Sequence, residues 1–187
     1  KIGSSAFQNC ESLINMKIPD SVQTIGFCAF MDCLKLKSVV FSNNIKTIGT
    51  HAFKNCESLQ HVDIPKEVKV IEFQTFYGCK SLTNINVPEG VRKIGISVFE
   101  ECSNLKHVTL PSTLDTLEEY AFKNCSSLDT VIIKTILPPF MQEYCGDPFA
   151  GQPINGCVIS VLPNTSFSYK NTFHFELQKI SESHAYS

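Results

Sequence analysis

The sequence predicts an α/β solenoid in which 23-residue units stack side by side, with a parallel sheet on the concave face and short helical turns opposite. Three observations predict this fold. Apolar residues recur at a fixed period of 23, two local periodicities alternate within each unit, and the unit is too small to bury its own apolar face. Each unit, here called a coil, must therefore stack on its neighbours and share one continuous core with them.

Four columns of residues keep the register from coil to coil. The cysteine column is Cys10, Cys33, Cys56, Cys79, Cys102 and Cys125, and the leucine column is Leu13, Leu36, Leu59, Leu82, Leu105 and Leu128. The phenylalanine column is Phe7, Phe30, Phe53, Phe76, Phe99 and Phe122, and the isoleucine column is Ile2, Ile25, Ile48, Ile71, Ile94 and Leu117. All four are apolar, so they predict the lining of the core.

Each coil begins with a short strand. Val62 and Ile64 share one face, with His61 and Asp63 on the other, which is the pattern of a half-buried strand. In four coils a proline follows and closes the strand, because proline cannot donate to a ladder: Pro19, Pro65, Pro88 and Pro111. Six such strands would form a parallel sheet roughly 24 Å wide, with about 4.8 Å between neighbours.

A helical turn is expected after the second extended piece of each coil. Ala52, Phe53, Cys56 and Leu59 stand at i, i+1, i+4 and i+7, a spacing that suits one or two turns of helix. Because helical turns are wider than strands, that side should fan out and leave the sheet side concave. The glycines after the isoleucine column, such as Gly49, are expected to ease a tight turn.

The repeat resembles the BspA-like subfamily of leucine-rich repeats. The motif that carries the resemblance is Ile48-Gly49-x-x-Ala52-Phe53-x-x-Cys56-x-x-Leu59-x-x-Val62-x-Ile64-Pro65, and five consecutive copies keep its register. The resemblance implies a cell-surface or secreted, adhesin-type protein, since this family is associated with binding host matrix proteins or other cells. A fold alone does not give a function, so these properties are expectations.

The resemblance covers residues 1–137, predicted as the repeat array of five full units with partial ends. Pro138-Pro139 breaks the period, and residues 138–187 resemble the segment that caps many such arrays, with one strand at Val158 to Pro163 and a short helix from Ser166 to Ile180. At the other end Ile2-Gly3 matches the middle of a unit. We therefore expect a C-terminal piece of a longer array, whose uncapped N-terminal end favours self-association.

Composition excludes several classes of partner. Sixteen Lys and Arg nearly balance 18 Asp and Glu, which gives a net charge of −2 and argues against nucleic acid as a partner. The sequence contains no apolar run of about 18 residues and no N-terminal signal peptide, so a membrane-spanning segment is not expected in this piece.

The cysteines and histidines do not predict a catalytic or metal site. None of the nine cysteines forms a Cys-x-x-Cys pair; the column is expected to hold buried free thiols, and Cys145 with Cys157 is the favoured disulfide pair. His61 and Asp63 lie two coils from His107, about 9.6 Å by strand spacing, so one metal ion could scarcely hold all three. Common nucleophile, P-loop and zinc motifs are missing, so neither enzyme activity nor a cofactor is expected.

The outward strand positions are the predicted binding surface, because they vary between coils while the inward ones stay apolar. Its predicted centre is His61, Asp63, Asn84, Asn86, His107 and Thr109. The leading hypothesis is a non-enzymatic module that contacts a protein or other cell-surface macromolecule through its concave sheet. The alternatives are a purely structural stalk that displays another domain and, more distantly, a hydrolase with its site in the cap.

Overall fold

The chain is a parallel β-solenoid. The computed structural model describes residues 1–140, 146–151 and 157–163, and the backbone of residues 180–182. In chain order the strands are β1 (Asn15–Lys17), β2 (Thr24–Ile25), β3 (Ser38–Val40), β4 (Thr47–Ile48), β5 (Val70–Ile71), β6 (Asn84–Asn86), β7 (Lys93–Ile94), β8 (His107–Leu110), β9 (Thr116–Leu117), β10 (Thr130–Ile133), β11 (Val158–Val161) and β12 (Ile180–Glu182).

The strands form two series, and every pair is parallel. The longer ones make a two-stranded sheet, β1-β3, and a five-stranded sheet in the order β6-β8-β10-β11-β12. The shorter ones make the sheets β2-β4 and β5-β7-β9. Partners such as Asn84 and His107 are 23 residues apart, so each strand pairs with its equivalent in the next coil. This register confirms the predicted repeat.

The expected helical turns are not formed, since the described residues contain no helix. Each such segment is a run of tight turns, in which Ala52 N–H donates to the Gly49 carbonyl and Cys56 N–H to the Phe53 carbonyl. Two positions in most coils have left-handed φ, as at His51 (59°) and Asn55 (58°). A right-handed helix requires negative φ throughout, so these two residues end it before it can begin.

The turn side carries its own ladder from coil to coil. Phe53 N–H donates to the Thr75 carbonyl at 2.9 Å, and Asn55 N–H donates to the Tyr77 carbonyl at 2.7 Å. The buried phenylalanine rings stack at 5.1–5.5 Å between centroids. That spacing is close to the roughly 4.8 Å that is typical between strands. The wider helical side, on which the expected concavity depended, is therefore replaced by turns that advance almost as the strands do.

The cysteine column is buried beside the rings, as predicted. Cys33, Cys56, Cys79 and Cys102 are free thiols without solvent exposure. Each thiol of the column from Cys33 onward donates to the phenylalanine carbonyl of the preceding coil, at 3.0–3.3 Å. Burial raises the pKa of Cys33 to about 11 and the pKa of Cys79 well above its ordinary value. The column therefore contributes to packing and is kept from ionising.

Three glycines after the isoleucine column, Gly26, Gly49 and Gly95, pack closely against the preceding coil, a role that the sequence analysis did not predict. A Cβ on Gly49 would lie 2.8 Å from the carbonyl carbon of Gly26, and one on Gly95 would lie 3.0 Å from the Ile71 oxygen. Neither glycine has a left-handed φ. Only a residue without a side chain lets adjacent backbones approach this closely.

The repeat continues beyond residue 137 with a longer spacing. Phe149 is buried and stacks on Phe122 at 5.3 Å, 27 residues after it, and the predicted strand near residue 158 is confirmed as β11, which pairs with β10. That residues 138–187 act as a cap stays a prediction. Cys145 and residues 166–179 lie outside the described residues, so the proposed disulfide and the short helix stay predictions as well.

Candidate functional site

Four predicted site residues form a continuous patch on the strand face, which we define as the outward side chains of the longer strands and of the equivalent segment at residues 61–63. Strand β6 carries Asn84 and Asn86, and β8 carries His107 and Thr109, with Asn84 opposite His107 and Asn86 opposite Thr109. The first three are exposed and Thr109 is half-buried. The period-2 alternation puts Ile85 and Val108 into the core, which fixes the polar residues outward.

His61 and Asp63 lie on the same face, but outside any strand. The strand expected at residues 62–64 is not formed; within the described part of the chain this segment has an isolated bridge between His61 and Ser38, beside a hydrogen bond from Gln60 N–H to the Lys37 carbonyl. The two side chains contact each other, with His61 Nε2 2.9 Å from Asp63 Oδ1, and are 67% and 89% exposed. Because this segment is not paired with β6, the structure does not join these two residues to Asn84 and Asn86 through a ladder.

A groove of about 440 Å³ opens beside this segment. It lies between residues 38–43 and 61–66, and Ser38, Val40, Phe41, His61, Asp63 and Pro65 are among its lining residues. We call this opening the strand gap. It was not predicted from the sequence.

One departure from the repeat accompanies the strand gap. Phe41-Ser42 occupies a position that holds a smaller aliphatic residue and a proline in four other coils, as at Ile64-Pro65. The Phe41 ring is only partly buried and meets Phe53 edge-on, with 5.6 Å between centroids. A ring in this column occupies more space than Ile or Val, so the departure could have been used to locate an irregular coil.

The chemistry of the strand face is that of hydrogen bonding. Amide, hydroxyl and imidazole groups predominate on it, beside Lys17, Val40 and Ile132, and some are joined across coils, as where Ser38 Oγ donates to Asn15 Oδ1 at 2.7 Å. Within residues 1–140, 146–151 and 157–163, no three His, Cys, Asp or Glu side chains are grouped to hold a metal ion. The arrangement can donate and accept hydrogen bonds over several coils.

An exposed aromatic cluster on the turn side was also missed by the sequence analysis. Phe27 and Phe73 are 52% and 40% exposed, and both rings meet His51 edge-on at 5.6 and 5.0 Å. The His51 ring also contacts Gln74 at 3.1 Å. Burial, and then the nearby charge of Lys54, lower the pKa of His51, while the contact with Gln74 opposes that shift. The spacing of Phe27 and Phe73, two coils apart in one column, was the available indication.

The described part of the chain contains no helix with the length and apolarity that crossing a bilayer requires. No curated protein has a sequence significantly similar to this chain.

Solved structures of bacterial leucine-rich repeat proteins are similar in fold. A leucine-rich repeat protein of T. pallidum, TpLRR, is 24% identical over 100% of this chain and 79% of its own, with a TM-score of 0.69. One from Bacteroides ovatus is 25% identical over 99% of this chain and 56% of its own, with a TM-score of 0.68. The pneumococcal vaccine antigen PcpA is 20% identical over 91% of this chain and 42% of its own, with a TM-score of 0.74. This chain thus spans about half the length of the latter two.

The repeat itself matches a known sequence family. The model for the BspA type leucine-rich repeat region matches residues 1–133 in six copies, which is most of the chain. This match agrees with the parallel ladders, the 23-residue register and the buried columns. The chain therefore belongs to the BspA-type leucine-rich repeat family.

Proposed function

We propose that the chain is a non-enzymatic binding module that contacts a protein or other macromolecule through its strand face. The observation that carries the proposal is the in-register patch of outward polar side chains, in which Asn84 faces His107 and Asn86 faces Thr109. The family and fold to which the chain belongs are typically non-enzymatic.

The physical argument is preorganisation. The inward residues between these side chains, Ile85 and Val108, are almost fully buried, so the backbone beneath the patch is fixed by the core. Asn, His and Thr have few rotatable bonds, so ordering them against a partner costs little conformational entropy. A rigid scaffold with short polar side chains is therefore suited to binding an extended surface.

We also propose that the protein acts at the cell surface or as a secreted protein. Membership of the BspA-type family supports this location. The free thiols are compatible with it, because an oxidising environment attacks thiolates, and burial raises the pKa of Cys33, Cys79 and Cys102. Buried thiols of this kind can persist outside the cell.

The test is binding of the purified chain to an array of extracellular-matrix proteins, measured by biolayer interferometry. Asn84→Arg puts a long charged side chain in the centre of the patch and should weaken binding by about a hundredfold without lowering the melting temperature. Lys123→Ala, on the turn side, is the control and should leave binding unchanged.

Two results would contradict the proposal. Loss of binding in Lys123→Ala but not in Asn84→Arg would move the site to the turn side. Absence of saturable binding to every protein of the array would refute the adhesin-type function and favour the structural stalk.

A further inference from the structure

Both strand ladders are interrupted between the coils of residues 37–59 and 60–82, and the ladder of the longer strands is also interrupted between residues 61–64 and β6. Among the described strands, β4 is not paired with β5, and β3 meets the next coil through the bridge between Ser38 and His61, beside a hydrogen bond from Gln60 N–H to the Lys37 carbonyl at 3.1 Å. The turn side of these coils is continuous, because His51 N–H donates to the Phe73 carbonyl at 3.1 Å and Phe53 N–H to the Thr75 carbonyl at 2.9 Å. The coils are therefore joined along the turn side and at the start of β3, and the strand gap separates them beyond that point.

Backbone groups on both sides of the strand gap are unpaired. In the preceding pair of coils, Ile18 N–H donates to the Val40 carbonyl at 2.9 Å. The equivalent bond, from Phe41 N–H to the Asp63 carbonyl, is not formed, and within the described part of the chain neither residue makes a backbone hydrogen bond. Phe41 is half-buried and Asp63 is exposed, so this row of backbone donors and acceptors lines the gap and is open to a partner strand.

We infer that the strand gap binds an extended peptide segment of a partner protein as an added strand. A peptide backbone supplies N–H and C=O groups at the spacing of the unpaired rows, and this is the chemistry by which strands add to an open sheet edge. This inference rests on the proposed function and names the class of partner for one part of the strand face.

The lining of the gap favours a peptide over a small charged ligand. Ser38, Val40 and Pro65 are small or uncharged, and Val40 is 56% exposed. The charged lining residues are Asp63, which contacts His61 and is 89% exposed, and the exposed Lys66; they have opposite signs and form no cluster for a charged ligand. Backbone pairing would then supply affinity, and alternate side chains of the peptide would contact Val40 and the Phe41 ring.

Hydrogen exchange of the free and peptide-bound protein tests the pairing directly. The probe is a fluorescein-labelled synthetic peptide with the sequence of residues 104–111, which carries β8 of this chain and favours an extended conformation. In the free protein the amides of Phe41 and Asp63 should exchange faster than that of Ile85. Saturating peptide should slow both by about tenfold or more. Exchange at Phe41 and Asp63 as slow as at Ile85 in the free protein would overturn the inference.

Two variants test the gap by fluorescence polarisation with the same peptide. Phe41→Ile restores the usual residue of the column, should close the gap, and should weaken peptide binding about tenfold. Leu110→Ile, at the equivalent position of an intact pair of coils, is the matched control and should bind normally. Peptide binding that Phe41→Ile leaves unchanged would overturn the inference.

A second pair of variants, both at Asp63, tests one backbone donor without changing the core. Asp63→Pro deletes the N–H and should weaken peptide binding about tenfold, whereas Asp63→Asn keeps it and should bind like the parent. Equal binding by the two variants would refute backbone pairing. A distinguishing outcome is that Asn84→Arg abolishes binding to a matrix protein while Phe41→Ile and Asp63→Pro bind both that protein and the labelled peptide as the parent does. In that case the strand-face function stands and the inference about the gap fails.

Discussion

Replacement of Phe53 by alanine is the sharpest test of how the core is built. Its side chain is fully buried and stacks on Phe30 at 5.1 Å and on Phe76 at 5.5 Å. Phe41 adds an edge-on contact at 5.6 Å. The ring thus contacts three others and connects three consecutive coils.

The expected loss follows from these contacts. Truncation of a buried phenylalanine costs about 3–5 kcal/mol, and ring pairs contribute about 0.5–1.5 kcal/mol beyond the area that they bury. With three ring contacts, Phe53→Ala should reduce the free energy of unfolding by about 5 kcal/mol. Phe7 is partly exposed and has one ring contact, so Phe7→Ala should cost about 2 kcal/mol.

Urea unfolding followed by circular dichroism measures both losses from the shift of the midpoint. Lys35→Ala, an exposed change, is the control and should alter the free energy of unfolding by less than about 0.5 kcal/mol. Equal losses for Phe53→Ala and Phe7→Ala, within about 1 kcal/mol, would show that the stacked column is not what holds the coils together.

Three further predictions concern the thiols, the histidine and the glycines. Because burial raises the pKa of Cys33 to about 11, iodoacetamide at pH 8 should leave this thiol unmodified in the native chain but alkylate it in unreduced, urea-unfolded protein. An intact mass that shows Cys33 in a disulfide would disprove this. Burial lowers the pKa of His51, so as pH falls the imidazole is protonated in the unfolded chain before it is protonated in the folded one. The contribution of neutral His51 to stability is therefore complete above about pH 6.5 and declines below that pH. His51→Gln should show a smaller drop in melting temperature from pH 7.5 to 5.5 than the parent, and equal drops would count against this reasoning. Gly49→Ala should lower the free energy of unfolding by about 1–3 kcal/mol, because the added carbon forces two coils apart. Gly3→Ala, with nothing within 4 Å of the added carbon, should be neutral in the same urea assay. Similar effects of the two changes would exclude close packing as the reason for the glycine at position 49.

Much of the fold follows from the sequence, because each coil repeats the same local problem. The columns of Phe53 and Cys56 predicted the core, and the alternation of Val62 and Ile64 with His61 and Asp63 predicted which side chains point outward. The outward positions of the candidate site could be named for the same reason. The partner could not, because variation among polar side chains does not specify what they bind.

The conformation of the turn side was decided only by the tertiary structure. Spacing at i, i+1, i+4 and i+7 fits a helix, but it fits consecutive tight turns equally well. The first left-handed position of each coil holds ordinary residues such as His51 and Gln74, which gave no indication of it. The second holds Asn, Asp or Gly in five of six coils, as at Asn55, and this indication was missed. The turns prevail because their N–H groups pair with the next coil, as Phe53 does with Thr75, whereas a helix would keep those bonds within itself.

The strand gap depends on tertiary packing as well. Phe41 is as apolar as the residues it replaces, so the pattern of polar and apolar residues predicts an ordinary strand there. Its ring instead meets Phe53 edge-on, and the adjacent strand does not form. The sequence by itself determined the register and the two faces because these depend on hydrophobicity and period. Only the tertiary structure decided where the ladder breaks, because that depends on the shape of side chains from different coils.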